Sequence, residues 1–191
     1  MTTADLDRIA GLASWVALVA LVLSGIALVL FFGGAGEFWG PVNDALIVVV
    51  VLALLPPVVA IARLAGERGG PWVTIVTVAA IAGLLLIAVG QSLLIIGRLS
   101  LEGSFVTGGI GVVPVIAWIV LVAALALGAG ILPASTGWLA VATLVTIVLV
   151  SLAAAVTRGP LLWIGGVGLL VAISAWLASL ATTFGSNATS A

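Results

Sequence analysis

Residues 9–32 read IAGLASWVALVALVLSGIALVLFF and contain no charged side chain. A helix needs about 20 apolar residues to cross a hydrocarbon core about 30 Å thick. The run is too long and too evenly apolar for a strand of a membrane barrel, in which lipid-facing and lumen-facing residues alternate. It therefore predicts a transmembrane helix, whose backbone hydrogen bonds are made within the segment.

Further segments of the chain meet the same test. They cover residues 44–62, 73–97, 110–130, 138–156 and 161–184. The links between the segments are short and rich in Gly and Pro, notably residues 33–36, 66–71, 108–109 and 158–160. Short links place successive helices side by side and antiparallel. We predict an all-α bundle of about six transmembrane helices, a single domain over residues 1–191, with a flexible tail at residues 185–191.

The composition agrees with a chain that is dissolved in lipid. Hydrophobic residues make up 64% of the sequence and charged residues 6%, against about half and about a quarter in soluble domains. The five basic residues are all Arg. Arg8, Arg63 and Arg68 fall on one membrane face, and Arg98 and Arg158 fall on the other. Because Arg is enriched on the cytoplasmic side, we expect both termini in the cytoplasm, at the plasma membrane of a prokaryote.

The residue inventory argues against several function classes. The chain has no His, no Cys and no Tyr, so we expect no zinc, haem or iron–sulfur site and no other cofactor. The net charge of −1 offers no basic field for nucleic acid. The carboxylates lie in tails or near span ends, and no His or Lys is present to activate a Ser nucleophile. We predict that the chain is not an enzyme.

The double proline Pro56-Pro57 lies inside the second predicted span. Proline has no amide hydrogen and clashes with the carbonyl group four residues earlier, so it kinks a helix. Two in succession free the carbonyl groups of Leu52 and Ala53. One interpretation is a hinge or a cavity wall, and the other is a static kink that improves packing.

Polar residues gather near one end of the predicted bundle. Glu37, Asn43 and Asp44 lie at the entry to the second span, where Asn and Asp cap open amides and a carboxylate complements the helix dipole. The alternative is that Asp44 turns inward and binds a cation or a proton.

Gln91, Arg98 and Glu102 follow on the same predicted face. With Glu37 and Asp44, they could line a polar vestibule that has Gln91 at its deepest point. The simpler interpretation is an interhelical hydrogen bond from Gln91, with the charged groups in water.

In size and in its Ala13-x-x-x-Ala17 spacing, the chain is similar in outline to the vitamin-binding S-components of energy-coupling-factor transporters. In that family, small residues on the first helix dock against a partner subunit. No substrate-binding motif carries over.

Two functional hypotheses remain. In the first, the chain is a membrane subunit or scaffold that packs against lipids, a second copy or a partner membrane subunit. In the second, it is a small transporter or binding protein for an uncharged or lipid-like molecule. A cavity that reaches Gln91 and the Pro56 kink would favour the second hypothesis, and a solidly packed bundle would favour the first.

Overall fold

A computed structural model describes residues 2–156 and 160–190, and every regular element in these ranges is helical. The helices are α1 (Thr3–Phe32), α2 (Trp39–Ala53), α3 (Leu55–Ala65), α4 (Gly70–Ile95), α5 (Leu101–Leu127), α6 (Ala134–Val156) and α7 (Pro160–Ser190), with a short 3₁₀ turn at Gly66–Gly69. Within the described ranges, six spans are long and apolar enough to cross a membrane, and α2 and α3 together form the second. The predicted all-α membrane bundle is confirmed.

Each of the six spans begins earlier than predicted, and in α1 and α5 a polar cap starts the helix before the apolar run. Thr2 accepts a hydrogen bond from the amide of Asp5 (3.1 Å), whose carboxylate accepts one from the Thr2 amide (2.9 Å). Ser100 accepts a hydrogen bond from the amide of Gly103 (3.1 Å) and caps α5. Such caps stabilise helix starts in the polar layer, where hydropathy carries no signal.

The predicted link at residues 108–109 is therefore wrong, because these glycines lie inside α5. Residues 185–190, which we expected in a flexible tail, continue α7 as a helix. The hydroxyl groups of Ser186 and Thr189 each donate to a carbonyl oxygen three residues earlier (2.8 Å). Small hydroxyl side chains thus bond to the backbone of the helix where it leaves the apolar layer.

The six spans form a closed ring. Each span packs against the spans before and after it in the sequence, and α7 returns to pack along α1. The start of α1, the end of α3 and the end of α7 share one end of the bundle, called here the terminus end. The end of α1, the start of α2 and the turn at residues 96–100 share the other, called the far end.

The interior of the ring is filled by large apolar side chains. Trp118 of α5 and Trp176 of α7 are buried and meet edge to face, with ring centroids 5.4 Å apart. Neither indole N–H has a hydrogen-bond partner among the described residues. The surrounding core includes Ile61, Leu84, Leu177, Leu180 and Phe184.

Glycines bring α4 and α5 into backbone contact. A Cβ atom on Gly83 would clash with the carbonyl oxygen of Gly111, and one on Gly111 would lie 2.7 Å from the carbonyl oxygen of Gly83. Further along, a Cβ atom on Gly90 would clash with the hydroxyl group of Thr107. Small residues let membrane helices approach this closely, so this contact fixes the third span against the fourth.

The second span is interrupted at Leu54, between α2 and α3. Pro56 and Pro57 follow in the first turn of α3, and Pro57 is buried. The Leu54 amide still donates to Val50 (3.1 Å), and the Leu54 carbonyl oxygen accepts from the Val58 amide (3.2 Å). The interruption follows from the two missing proline amides. Movement at this point stays a prediction.

Candidate binding site

Three charged residues of the predicted vestibule lie in exposed positions at the far end. Glu37 is in the turn between α1 and α2, and Arg98 is in the turn before α5. Glu102 lies in the first turn of α5, where a carboxylate complements the helix dipole. Within the described part of the chain, no hydrogen bond or ion pair joins these three side chains.

Gln91 lies on α4, one turn before the helix ends at Ile95. Its Oε1 atom is buried and has no hydrogen-bond partner among the described residues. The structure shows no hydrogen bond between Gln91 and Asp44 in the described ranges. A single vestibule over Gln91, Asp44 and Arg98 therefore stays a prediction.

Asn43 and Asp44 do come together, and they are joined by Ser24, which was not among the predicted site residues. The Ser24 hydroxyl donates to Asn43 Oδ1 (2.6 Å), and Asn43 Nδ2 donates to Asp44 Oδ1 (3.3 Å). Ser24 is buried in α1, whereas Asn43 and Asp44 are half-buried in the second turn of α2. This relay ties the first span to the second near the far end. The only signal in the sequence was that Ser24 is one of two hydroxyl side chains, with Ser14, in a charge-free span.

A cavity of about 450 Å³ lies beside this relay, between α1, α2 and α7. Ligand sites generally enclose about 300–1,000 Å³. Its lining is apolar except for Ser24 and Asn43 and contains no charged residue. The lining residues are Leu21, Ser24, Gly25, Leu28, Val29, Asn43, Ile47, Gly166, Val167, Leu169, Leu170 and Ile173. The lining includes neither Gln91 nor Pro56, so this cavity differs in place from the one that the sequence suggested.

The most exposed lining residues of the cavity lie on α1 and α7, and this exposed side is called here its mouth. The two helices touch at Gly25, where an added Cβ atom would lie 2.9 Å from Leu170. Towards the far end from this contact, Val29 is 57% exposed and Val167 is 59% exposed, and a Cβ atom on Gly166 would meet nothing within 4 Å. Because α1 and α7 are both apolar enough to cross a membrane, we expect the mouth to face sideways, towards hydrocarbon.

A buried ion pair stands at the opposite end of the bundle. Arg63 Nη2 of α3 lies 2.5 Å from Asp7 Oδ1 of α1, and Asp7 is 5% exposed. Sequence reasoning assigned Arg63 to the orientation signal and did not pair it with Asp7. The available signal was that both residues fall at the same predicted membrane face with opposite charges. Arg158, which belongs to the orientation argument, lies outside the described residues.

Comparison with protein-family models, with curated proteins and with solved structures finds no match for this chain. The outline resemblance to the S-components gains no support from a solved structure. Ala17 is also fully buried inside the ring, so it offers no surface on which a partner subunit could dock. Assignment of a function therefore rests on the geometry of the chain itself.

Proposed function

We propose that this chain is a non-catalytic integral membrane protein that binds a lipid-like molecule between α1, α2 and α7. The observation that carries the proposal is the cavity of about 450 Å³, apolar over most of its lining. Its mouth opens towards hydrocarbon, so a ligand already dissolved in the bilayer can enter without crossing water. Small-molecule sites commonly combine an apolar lining with a few placed polar groups, and Ser24 and Asn43 supply these.

The chemistry of the lining supports binding rather than catalysis. Its two polar side chains are a hydroxyl and an amide, and neither ionises near neutral pH. General acid–base catalysis needs a titrating group within hydrogen-bond reach of the substrate. The nearby Asp44 carboxylate already accepts from the Asn43 amide. The proposed role is therefore to hold or transfer a molecule without changing it.

A scaffold or subunit role is the second candidate, and one surface of α5 favours it. Phe105, Gly109 and Val113 recur every four residues on an outward face, with Phe105 72% exposed and Val113 64% exposed. A Cβ atom on Gly109 would meet nothing within 4 Å. A gap between two large side chains suits a close-packed partner helix.

Photolabelling tests the proposed function. The full chain is reconstituted in phosphatidylcholine nanodiscs with a hexadecanol that carries a diazirine in its tail, and labelled residues are mapped by mass spectrometry. We expect label to concentrate on residues 21–29 and 166–173. Gly166→Leu adds bulk at the mouth and should lower this labelling about tenfold, a loss of about 1.4 kcal/mol in binding.

Gly109→Leu is the matched control, since both glycines are helical with open space around them. It should leave cavity labelling unchanged. Label spread evenly over all outward faces, or unaffected by Gly166→Leu, would contradict the binding role. If the scaffold role holds instead, Gly109→Leu should reduce the particle mass from an oligomer to a monomer, and Gly166→Leu should not.

A further inference from the structure

The polar end of the cavity has a fixed orientation. A carboxylate only accepts hydrogen bonds, so the amide nitrogen of Asn43 must face Asp44. The amide oxygen is thereby turned towards Ser24, whose hydroxyl group donates to it at 2.6 Å. Asp44 thus acts as a positioning residue for the Asn43 amide, although it does not line the cavity itself.

With the Asn43 amide in this orientation, the groups left free to bind a ligand are mostly hydrogen-bond acceptors. Ser24 has used its only O–H on Asn43, so its oxygen offers lone pairs. Asn43 Oδ1 keeps one further lone pair, and Asn43 Nδ2 keeps one N–H after bonding Asp44. A headgroup that donates hydrogen bonds satisfies more of these groups than one that only accepts them.

The charged groups around the cavity also favour a ligand without a phosphate. No Arg is among the lining residues, and Asp44 places a carboxylate beside Asn43. Of the basic side chains whose positions are described, Arg8 and Arg63 lie at the terminus end, where Arg63 is paired with Asp7. Arg98 is exposed in the turn before α5 and is not part of the lining. A phosphate in this cavity would be a second negative charge without a described partner, which is costly away from water.

The depth of the relay also suits a headgroup. Asn43 lies four residues after α2 begins at Trp39, about 6 Å along the helix axis. Leu21 and Ile173 lie deeper, at the other limit of the lining. An amphiphile can therefore place its polar group at Asn43, near the membrane surface, with its alkyl chain along Ile47 and Leu21.

We propose that the cavity selects an amphiphile whose headgroup is an alcohol or an amine and carries no phosphate, with that headgroup bound at Ser24 and Asn43. This inference rests on the proposed function, since it names the chemical class of ligand for the same cavity.

A headgroup series in the photolabelling assay tests the selection. Hexadecanol, hexadecylamine and hexadecyl phosphate carry the same diazirine in the same tail. In the wild-type chain, the alcohol and the amine should label residues 21–29 and 166–173, and the phosphate should label them about tenfold less. Asn43→Leu should abolish this difference between the headgroups, while all three probes still label the cavity through the diazirine in the alkyl chain.

Two further variants, Ser24→Ala and Asp44→Asn, keep the test valid if Asn43→Leu does not fold, and Ser14→Ala is the control. Ser24→Ala should reduce alcohol labelling, whereas Ser14→Ala should not, because the Ser14 hydroxyl bonds the Ala10 carbonyl oxygen of its own helix. Asp44→Asn removes the nearby charge and should raise phosphate labelling.

The outcomes separate the two claims. Cavity labelling by the phosphate as strong as by the alcohol would overturn the headgroup selection and leave the proposed function standing. Cavity labelling by none of the probes would overturn the proposed function as well.

Discussion

Arg63 and Asp7 form an ion pair that joins α3 to the start of α1, with Nη2 and Oδ1 2.5 Å apart. The environments of the two groups differ, because the Asp7 side chain is 8% exposed and that of Arg63 is 28% exposed. Removal of Arg63 leaves the buried Asp7 carboxylate without its ion-pair partner. Removal of Asp7 leaves a guanidinium that reaches the surface.

We therefore predict that Arg63→Met lowers the free energy of unfolding by about 3 kcal/mol and Asp7→Asn by less. The double variant should be more stable than Arg63→Met alone. Thermal unfolding in detergent measures each variant, with Arg8→Met, an exposed Arg on the same end, as the control. Equal stability of Arg63→Met and the wild-type protein would contradict a structural role for the pair.

The glycine contact between α4 and α5 gives a second prediction. Gly83→Ala and Gly111→Ala each place a methyl group against the backbone of the other helix, so each should destabilise the chain by about 1–3 kcal/mol. Gly109→Ala meets open space and should be neutral, or more stable by up to about 1 kcal/mol. Unfolding midpoints of the three variants decide the matter. A loss in Gly109→Ala as large as in Gly83→Ala would show that the contact is not the cause.

The double proline sets the direction of α2 relative to α3. The helix from Asn43 to Leu54 is about 16 Å long, so a change of about 20° at the break would move Asn43 by about 6 Å. That displacement breaks the Ser24–Asn43 hydrogen bond.

We predict that the double variant Pro56→Ala/Pro57→Ala, which restores both amides, straightens the span and lowers cavity labelling by hexadecanol. Pro71→Ala is the control, because Pro71 is exposed in the first turn of α4, where a missing amide has little effect. Unchanged labelling in the double variant would mean that the kink does not position the site.

The orientation of the bundle yields a fourth prediction. Gly11 and Gly185 lie side by side, since a Cβ atom on Gly11 would be 3.2 Å from the Gly185 amide nitrogen. The two ends of the chain therefore share a membrane side. From the Arg distribution we expect that side to be the cytoplasm of a prokaryotic cell. Green fluorescent protein fused after residue 191 should fluoresce in a bacterial host, and alkaline phosphatase fused there should be inactive. An active phosphatase fusion would show that the two ends of the chain lie on the opposite side of the membrane, contrary to this prediction.

The fold could be predicted because span recognition depends on a property that is local in sequence. Charge-free runs such as residues 9–32 identify the helices, and the glycine turn after Phe32 marks an end. The start of α5 was missed because the Ser100 cap lies in a polar stretch, where hydropathy does not distinguish a helix from a loop. Hydropathy measures transfer into lipid rather than helix formation.

The candidate site was only partly predictable. Asn43 and Asp44 could be selected because charged residues make up only 6% of this chain, so a polar pair at a span entry stands out. Ser24 could not, because hydroxyl groups occur in most membrane helices and bond their own backbone. Which helix faces which depends on packing such as the Gly83–Gly111 contact. The cavity lies between α1, α2 and α7, an arrangement of three helices that no local pattern encodes.

Native mass spectrometry of the chain extracted from its own membrane tests the central claim most directly. The account predicts that one amphiphile-sized molecule stays bound to the wild-type protein and to Gly109→Leu after detergent exchange, and is absent from Gly166→Leu. The same bound masses on all three proteins, or no bound molecule on any of them, would contradict a lipid-like ligand in the cavity between α1, α2 and α7.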